Sequence, residues 1–283
     1  MSRPISGGTM VAAVVGDPVA HSLSPIIHNS WAATAGIDGV YVALRATPGG
    51  FSSLVQAMRG GVMRGFNVTA PFKMEALALA DTASPRAQRI GAANLLIFHQ
   101  DGKVSADNTD GTGLLAAFAE QAPGFEPGVG LAIIIGAGGA ARAAADALLE
   151  AGALTIGIVN RTPERAETLA RSLGVRAAVI AADGLGAALS KANVVIDASG
   201  GQAGGVLAAL LERVPPSAVI MDMTYRPLRT PLLTAAEALG LRTVDGLAML
   251  IGQAAPCFEA LFGVSPPAID VRAPAIAALE PAR

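Results

Sequence analysis

Short apolar runs alternate with amphipathic stretches along most of the chain. Met10 to Val15 reads as a buried strand ending at Gly16-Asp17-Pro18, and Pro25 to Ala35 has the pattern of a helix opened by proline. The alternation continues through strand Val40 to Leu44, helix Phe51 to Met58, strand Gly65 to Val68 and helix Lys73 to Leu79. The first ~110 residues are therefore expected to form a small α/β domain. Leu114 to Glu120 reads as a helix, and the Pro/Gly-rich stretch Pro123 to Gly130 as a loop. Strands at Leu131 to Ile135, Thr155 to Val159, Val194 to Ile196, Ala218 to Asp222 and Arg242 to Val244 follow, with helices at Ala140 to Ala151, Glu164 to Leu173 and after Asp222. Strands separated by helices predict a parallel, doubly wound sheet. Two apolar helices, Gly246 to Phe262 and Pro267 to Leu279, are expected beyond it.

Composition agrees with a globular chain: 283 residues, 52% hydrophobic, 15% charged, with a net charge of −2. No Lys/Arg run could follow a phosphate backbone or an anionic bilayer, so neither nucleic acid nor membrane is an expected partner. The longest apolar runs are strand-sized, well short of the roughly 18 residues of a membrane span. Ser, Gly and Pro interrupt the first ten residues where a signal peptide would be apolar, and a cytoplasmic location is expected. Three histidines and one cysteine, Cys257, show no metal-ligand spacing, so no metal is expected. Cys257 lies in an apolar helical stretch and reads as a packing residue.

Two kinds of chemistry emerge. The run Leu131 to Ile135 enters Gly136-Ala137-Gly138-Gly139-Ala140-Ala141-Arg142, a G-x-G-x-x-G/A fingerprint where a strand turns into a helix. The first glycine permits the turn, the second lets backbone approach a pyrophosphate, and the small third residue lets helix and strand pack closely. Free N–H groups at the helix start then face the phosphates. About 24 residues after Gly136, where an acidic residue would grip the ribose of NAD, the chain has Asn160-Arg161-Thr162-Pro163-Glu164-Arg165. Two arginines there favour a 2′-phosphate, which points to NADP.

The second kind lies in the first domain, where polar clusters end apolar segments: His21 to Pro25, Asn67 to Lys73, Gly91 to Asn94 and Asp107 to Gly111. Together they offer hydroxyls, amides, one ammonium and carboxylates, suited to a small polyhydroxy acid.

These clusters, in this order and followed by the glycine turn, resemble the shikimate dehydrogenase family over roughly residues 11 to 263. The resemblance implies an N-terminal α/β substrate and catalytic domain at 1–112, a Rossmann-like NADP-binding domain at 113–246 and C-terminal helices at 247–283 returning to the substrate domain. It implies that Ser22 and Ser24 bind the substrate carboxylate, that Asn67, Thr69, Asn94 and Asp110 bind its hydroxyls, and that Lys73 transfers the proton with Asp110 beside it. Asp222-Met223-Thr224-Tyr225-Arg226-Pro227 is similar to the family segment in which a tyrosine, here Tyr225, contacts substrate and a residue, here Met223, lines the cofactor. In the segment from Gly246 to Ala254, Gly246 would face the nicotinamide and Gln253 the substrate. Gly136, Ala137, Gly138, Gly139, Ala140, Asn160, Arg161, Thr162 and Arg165 would complete the cofactor site.

The implied reaction is reduction of 3-dehydroshikimate to shikimate with NADPH, in aromatic amino-acid precursor biosynthesis, by a monomer or homodimer. Two departures stand out. Asp197 occupies a position where the family usually has Asn, and Leu95 one where it commonly has Thr. Alternatives are a quinate/shikimate dehydrogenase, which the arginine pair disfavours, and a catalytically silent NADP-binding regulatory module, which Lys73 and Asp110 disfavour.

Overall fold

The computed structural model describes residues 4–279, and the chain divides into two compact units. The first comprises residues up to Thr109 together with the chain from Gln253 onward, and the second runs from Asp110 to Gly252.

In the first unit, the segments Met10–Gly16 (β1), Ser24–Thr34 (α1), Gly39–Arg45 (β2), Phe51–Ala57 (α2), Gly65–Val68 (β3) and Lys73–Leu79 (α3) alternate as their apolar periodicity predicts. Thr82–Ala83 (β4), Pro85–Ile90 (α4), Leu95–Phe98 (β5) and Val104–Asp107 (β6) follow. The sheet has the order β2-β1-β3-β5-β6-β4, parallel across β1, β2 and β3 but antiparallel across β3-β5 and β5-β6. The mixed strand directions and the four short elements after α3 go beyond what periodicity predicts. Phe51, Phe66, Phe72 and Leu96 fill the core beneath the sheet.

The second unit begins with Asp110–Gln121 (α5) and continues with Leu131–Ile135 (β7), Gly139–Glu150 (α6), Thr155–Val159 (β8), Pro163–Leu173 (α7) and Ala177–Val179 (β9). Leu185–Leu189 (α8), Ala192–Asp197 (β10), Gly204–Ala208 (α9), Val219–Asp222 (β11), Pro231–Ala238 (α10) and Arg242–Asp245 (β12) complete its sheet. All six strands are parallel in the order β12-β11-β10-β7-β8-β9. That is the doubly wound dinucleotide-binding order, with the reversal between β7 and β10. Helices cover both faces: Leu114, Phe118 and Leu148 pack on one side, and Leu185, Leu207 and Leu232 on the other.

The long helix Gly246–Phe262 (α11) starts in the second unit and ends in the first. Its Phe258 ring lies 5.5 Å from Trp31 of α1. The last helix, Arg272–Ala277 (α12), packs on α1 and is much shorter than the expected Pro267 to Leu279. Asp270 explains the late start: its Oδ1 accepts from the backbone N–H of Arg272 and of Ala273, capping the helix there. The contact boundaries, after Thr109 and after Gly252, differ by a few residues from the expected 112 and 246 because α5 and the first part of α11 pack within the second unit. Among the described residues no helix is long and apolar enough to cross a membrane.

Candidate active site

Three of the four polar clusters, those of Asn67, Asn94 and Thr109, meet in one buried network, and the Ser22/Ser24 cluster makes no hydrogen bond to it among those described. Asn94, directly before β5, accepts at Oδ1 from the Thr109 backbone N–H at 2.8 Å. Its Nδ2 donates to Thr109 Oγ1 at 2.9 Å and to Gln253 Oε1 at 3.2 Å. Asn67, on β3, donates from Nδ2 to the Asn94 carbonyl at 3.2 Å. Thr109 Oγ1 donates to the Gln253 carbonyl at 3.1 Å and lies 3.1 Å from Cys257 Sγ. Asn67, Asn94, Thr109 and Gln253 are all buried, and their mutual bonds answer the desolvation that burial imposes.

Neighbouring groups hold the network's strands in place. Asn108 Nδ2 donates to the Ala92 carbonyl at 2.8 Å, tying the end of β6 to the turn before β5. Asp107 accepts from both Arg86 and Ser84. Burial alone would raise the Asp107 carboxyl, but these hydrogen bonds outweigh it and hold it below its ordinary value.

Ser22 and Ser24 open α1, where the Ser22 Oγ accepts from the Ser24 backbone N–H at 3.3 Å. Ser24 is buried and Ser22 half-buried. Lys73 begins α3, half-buried, and its carbonyl accepts from the Ala93 N–H at 2.8 Å, which joins α3 to the Gly91 to Asn94 turn. Thr69 lies half-buried just beyond β3, and its N–H donates to the carbonyl of Val15 at the end of β1.

Asp110, buried, opens α5, so it belongs to the second unit, as do Met223, Tyr225 and Gly246. Gly246 is a steric requirement: a Cβ there would lie 2.3 Å from the Met223 carbonyl oxygen. Met223 and Gly246 are thus adjacent, at the ends of β11 and β12.

In the second unit the glycine turn is built largely from backbone. Gly136 has φ +123°, and a Cβ on it would sit 2.8 Å from the Ala198 carbonyl oxygen, so only glycine fits. Gly138 caps α6 in an extended conformation with no side-chain hydrogen bond, leaving the N–H groups of the first turn free for an anion. Ala141 is fully buried, allowing close packing beneath the turn. Beyond β8, Asn160 Nδ2 donates to the Thr162 carbonyl at 2.8 Å and shapes the turn that displays Arg161 and Arg165 at the surface. Arg161 donates to Gln202 Oε1 at 3.2 Å. Arg142, on α6, has a buried Nε with no partner among the described residues, and burial lowers its pKa.

Asp197 ends β10 in register with Asp222 at the end of β11, and both are fully buried. Each uses one oxygen on its own turn, accepting from the Ser199 and Thr224 N–H groups at 2.8 and 2.9 Å respectively, and leaves Oδ2 without a partner among the described residues. Burial raises the Asp197 pKa, and the neighbouring Asp222 charge adds to that. Leu95, the other departure, is buried as the first residue of β5.

Three network members carry no functional role in the sequence reading. Thr109 stands inside one of the polar clusters, and Cys257, which reads as a packing residue alone, also lies within hydrogen-bond distance of Thr109. Tyr41 donates its hydroxyl to Asn67 Oδ1 at 2.7 Å. Nothing in the strand pattern Val40 to Leu44 distinguishes it from a core aromatic.

A parallel doubly wound sheet with a phosphate-ready glycine turn, joined in one chain to a mixed α/β unit carrying a buried amide and hydroxyl network, defines a two-domain dinucleotide-dependent oxidoreductase. Residues 14–96 match the shikimate dehydrogenase substrate binding domain, and residues 129–247 match the shikimate / quinate 5-dehydrogenase family. A shikimate dehydrogenase (NADP(+)) of Caulobacter vibrioides is 52% identical over 277 residues, with 96% of each chain covered. The solved shikimate 5-dehydrogenase of Thermus thermophilus, in complex with NADP(H) and shikimate, is 36% identical with a TM-score of 0.81, covering 96% of this chain and 98% of that one. A quinate dehydrogenase of Corynebacterium glutamicum in complex with NAD shares the fold at 25% identity and TM-score 0.82, covering 95% of this chain and 98% of that one. The chain belongs to the shikimate dehydrogenase family.

Proposed function

We propose that this enzyme interconverts shikimate and 3-dehydroshikimate with NADP(H), the first unit binding the substrate and the second the cofactor. The observation that carries this reading is the match of both units to this one family, together with 52% identity to an NADP-dependent member over nearly the whole chain.

The residues present suit the dinucleotide. The Gly136 turn leaves no room for a side chain, the first turn of α6 has N–H groups to offer phosphate, and Arg161 and Arg165 stand where a 2′-phosphate would be gripped. When bound, NADP supplies or accepts the hydride at its nicotinamide ring. The protein's own task is to orient the substrate and handle one proton.

In this reading Ser22 and Ser24 anchor the substrate carboxylate through hydroxyl donors. Asn67, Thr69, Asn94 and Gln253 present amides and a hydroxyl to the ring hydroxyls. Lys73 gives a proton to the substrate oxygen during ketone reduction and takes it back during alcohol oxidation. Asp110 and Tyr225 complete the substrate contacts, while Met223 and Gly246 line the nicotinamide side. Because the amides of Asn67 and Asn94 are already locked by buried partners, substrate meets acceptors and donors that need little reorganisation.

The Arg161 and Arg165 pair favours this reading over an NAD-dependent quinate dehydrogenase, since both are exposed and, among the described residues, neither is engaged with a carboxylate. The test is NADPH absorbance on mixing the purified protein with shikimate and NADP. Growth of the signal that needs both compounds is expected, and its absence would overturn the proposal.

A further inference from the structure

Cys257 is the only cysteine of the chain, lies in α11 and is fully buried. Its apolar helix alone would make it a packing residue, but its sulfur reaches the amide and hydroxyl network. Sγ lies 3.1 Å from Thr109 Oγ1 and 3.8 Å from Gln253 Oε1. Gln253 precedes it by four residues on the same helix, so one helical turn sets thiol and amide side by side.

The proton directions here follow from a single backbone group. The Thr109 N–H donates to Asn94 Oδ1 at 2.8 Å, which leaves Asn94 Nδ2 as the end facing Thr109 Oγ1 at 2.9 Å and Gln253 Oε1 at 3.2 Å. An amide nitrogen only donates, so Gln253 must turn its oxygen toward Asn94. Thr109 has one hydroxyl proton, and the Gln253 carbonyl at 3.1 Å is a better acceptor for it than a thiol sulfur at the same distance. The thiol is left as the donor. Its proton goes to Thr109 Oγ1, with Gln253 Oε1 as the second acceptor within reach. Asn94 and Cys257 thus approach the same two oxygens as donors, and Gln253 Nε2 is the end turned away from Asn94.

We propose that Cys257 is a positioning residue whose S–H holds Thr109 and keeps the Gln253 amide oriented with Nε2 as donor to a substrate hydroxyl. It acts through Thr109 and Gln253 and not on the reacting atoms. The inference rests on the reading of Gln253 as a shikimate-binding group.

Two substitutions separate this role from packing. Cys257→Ala stays apolar and removes the donor, whereas Cys257→Ser keeps a donor and is more polar. With Cys257→Ala, shikimate KM should rise roughly two- to tenfold, the scale of one hydrogen bond. Turnover at saturation should stay within about twofold and NADP affinity should not change, because the lost contact orients bound substrate uniformly. Cys257→Ser should restore KM to within about twofold of the unaltered protein, since a donor is back in place. In a Gln253→Ala background, Cys257→Ala should have little further effect. A packing role gives the reverse order, with serine more harmful than alanine in apolar surroundings. That order, or a KM that Cys257→Ala leaves unchanged, would overturn the proposal.

A second measurement needs no variant. With one cysteine in the chain, the S–H stretching band of the infrared spectrum belongs to Cys257 alone. A donating thiol absorbs below the frequency of a thiol in alkane solvent, and the band should lie there and move when shikimate saturates the protein. A band at the alkane-solvent frequency, or one that saturating shikimate leaves unmoved, would count against the proposal. If the unaltered protein neither binds nor oxidises shikimate, the functional reading itself fails. If it does both while Cys257→Ala leaves KM unchanged, only the role of Cys257 fails.

Discussion

The two units solve the problem of burying polar groups in opposite ways. In the first, Asn67, Asn94, Thr109 and Gln253 satisfy one another through side chains, and each is fixed before a ligand arrives. In the second, the turn at Gly136 presents mainly backbone, while Asp197, Asp222 and Arg142 each retain a buried polar atom with no partner among the described residues. The contrast matches the two ligands. A small polyhydroxy acid is recognised by hydroxyl geometry, which needs rigid amides. A dinucleotide's phosphates are recognised through charge and close approach, which need helix N–H groups and the absence of side chains.

The sharpest way to separate the units is at Lys73. Lys73→Ala should lower turnover by about 10² to 10⁴, the usual contribution of a positioned acid or base, while NADP affinity stays near that of the unaltered protein. Steady-state rates with a parallel NADP titration check both halves. Near-normal turnover would remove Lys73 from the chemistry, and equal loss of cofactor binding would mean that the units are not functionally separable.

His28 is the exception in the first unit, since both of its ring nitrogens are buried without a partner among the described residues. Burial pushes its pKa down to about 3, from 6.5. The unfolded chain therefore binds a proton between these values and the folded protein does not, so this group makes stability fall as pH drops below about 6.5. From about pH 7 to about pH 5 the loss should be roughly 2 kcal/mol. His28→Phe keeps an aromatic ring against Tyr41 and should remove that part of the pH dependence. Urea unfolding of both proteins at the two pH values measures it, and identical slopes would show that His28 is solvated or paired.

On the cofactor side, Arg161→Ala/Arg165→Ala should weaken NADP about tenfold or more and leave NAD almost unchanged. Binding titrations with each dinucleotide decide it. Equal losses for the two would assign the arginines to the fold instead of the 2′-phosphate.

The smallest effect is expected at Asp197, whose raised pKa means that the folded protein holds a proton more tightly than the unfolded chain. Stability is then lost as pH rises above the ordinary carboxylate value of 3.8, and that loss is complete above the raised one. Asp197→Asn carries no such penalty and should be more stable than the unaltered protein at neutral pH, with the difference shrinking toward about pH 3. Thermal unfolding across pH checks the sign, and a variant less stable at neutral pH would mean that the carboxylate is held by a favourable partner.

How much of the molecule is legible in its sequence also differs between the units. The central strands of the second unit are buried on both faces, so Leu131–Ile135 and the Val219 to Met221 part of β11 appear as unbroken apolar runs that periodicity finds readily. The first unit hides β5 and β6, because each is only four residues long and is bounded by Asn94, Asp107 and Asn108, residues whose polarity suggests a loop. Those bounding residues are polar because they build the network between strands. Asn67, Asn94 and Gln253 are named by their motifs, and hydrogen bonds buried in the first unit unite them. Tyr41 is not, since its hydrogen bond to Asn67 forms across the sheet between residues 26 apart in sequence.

The most direct test of the account is a set of four steady-state rates, for shikimate or quinate paired with NADP or NAD. The account predicts that shikimate with NADP is the fastest pairing by a clear margin and that added salt narrows the preference for NADP, because exposed arginines are screened over about 10 Å at 0.1 M. A preference for NAD, or for quinate over shikimate, would contradict it.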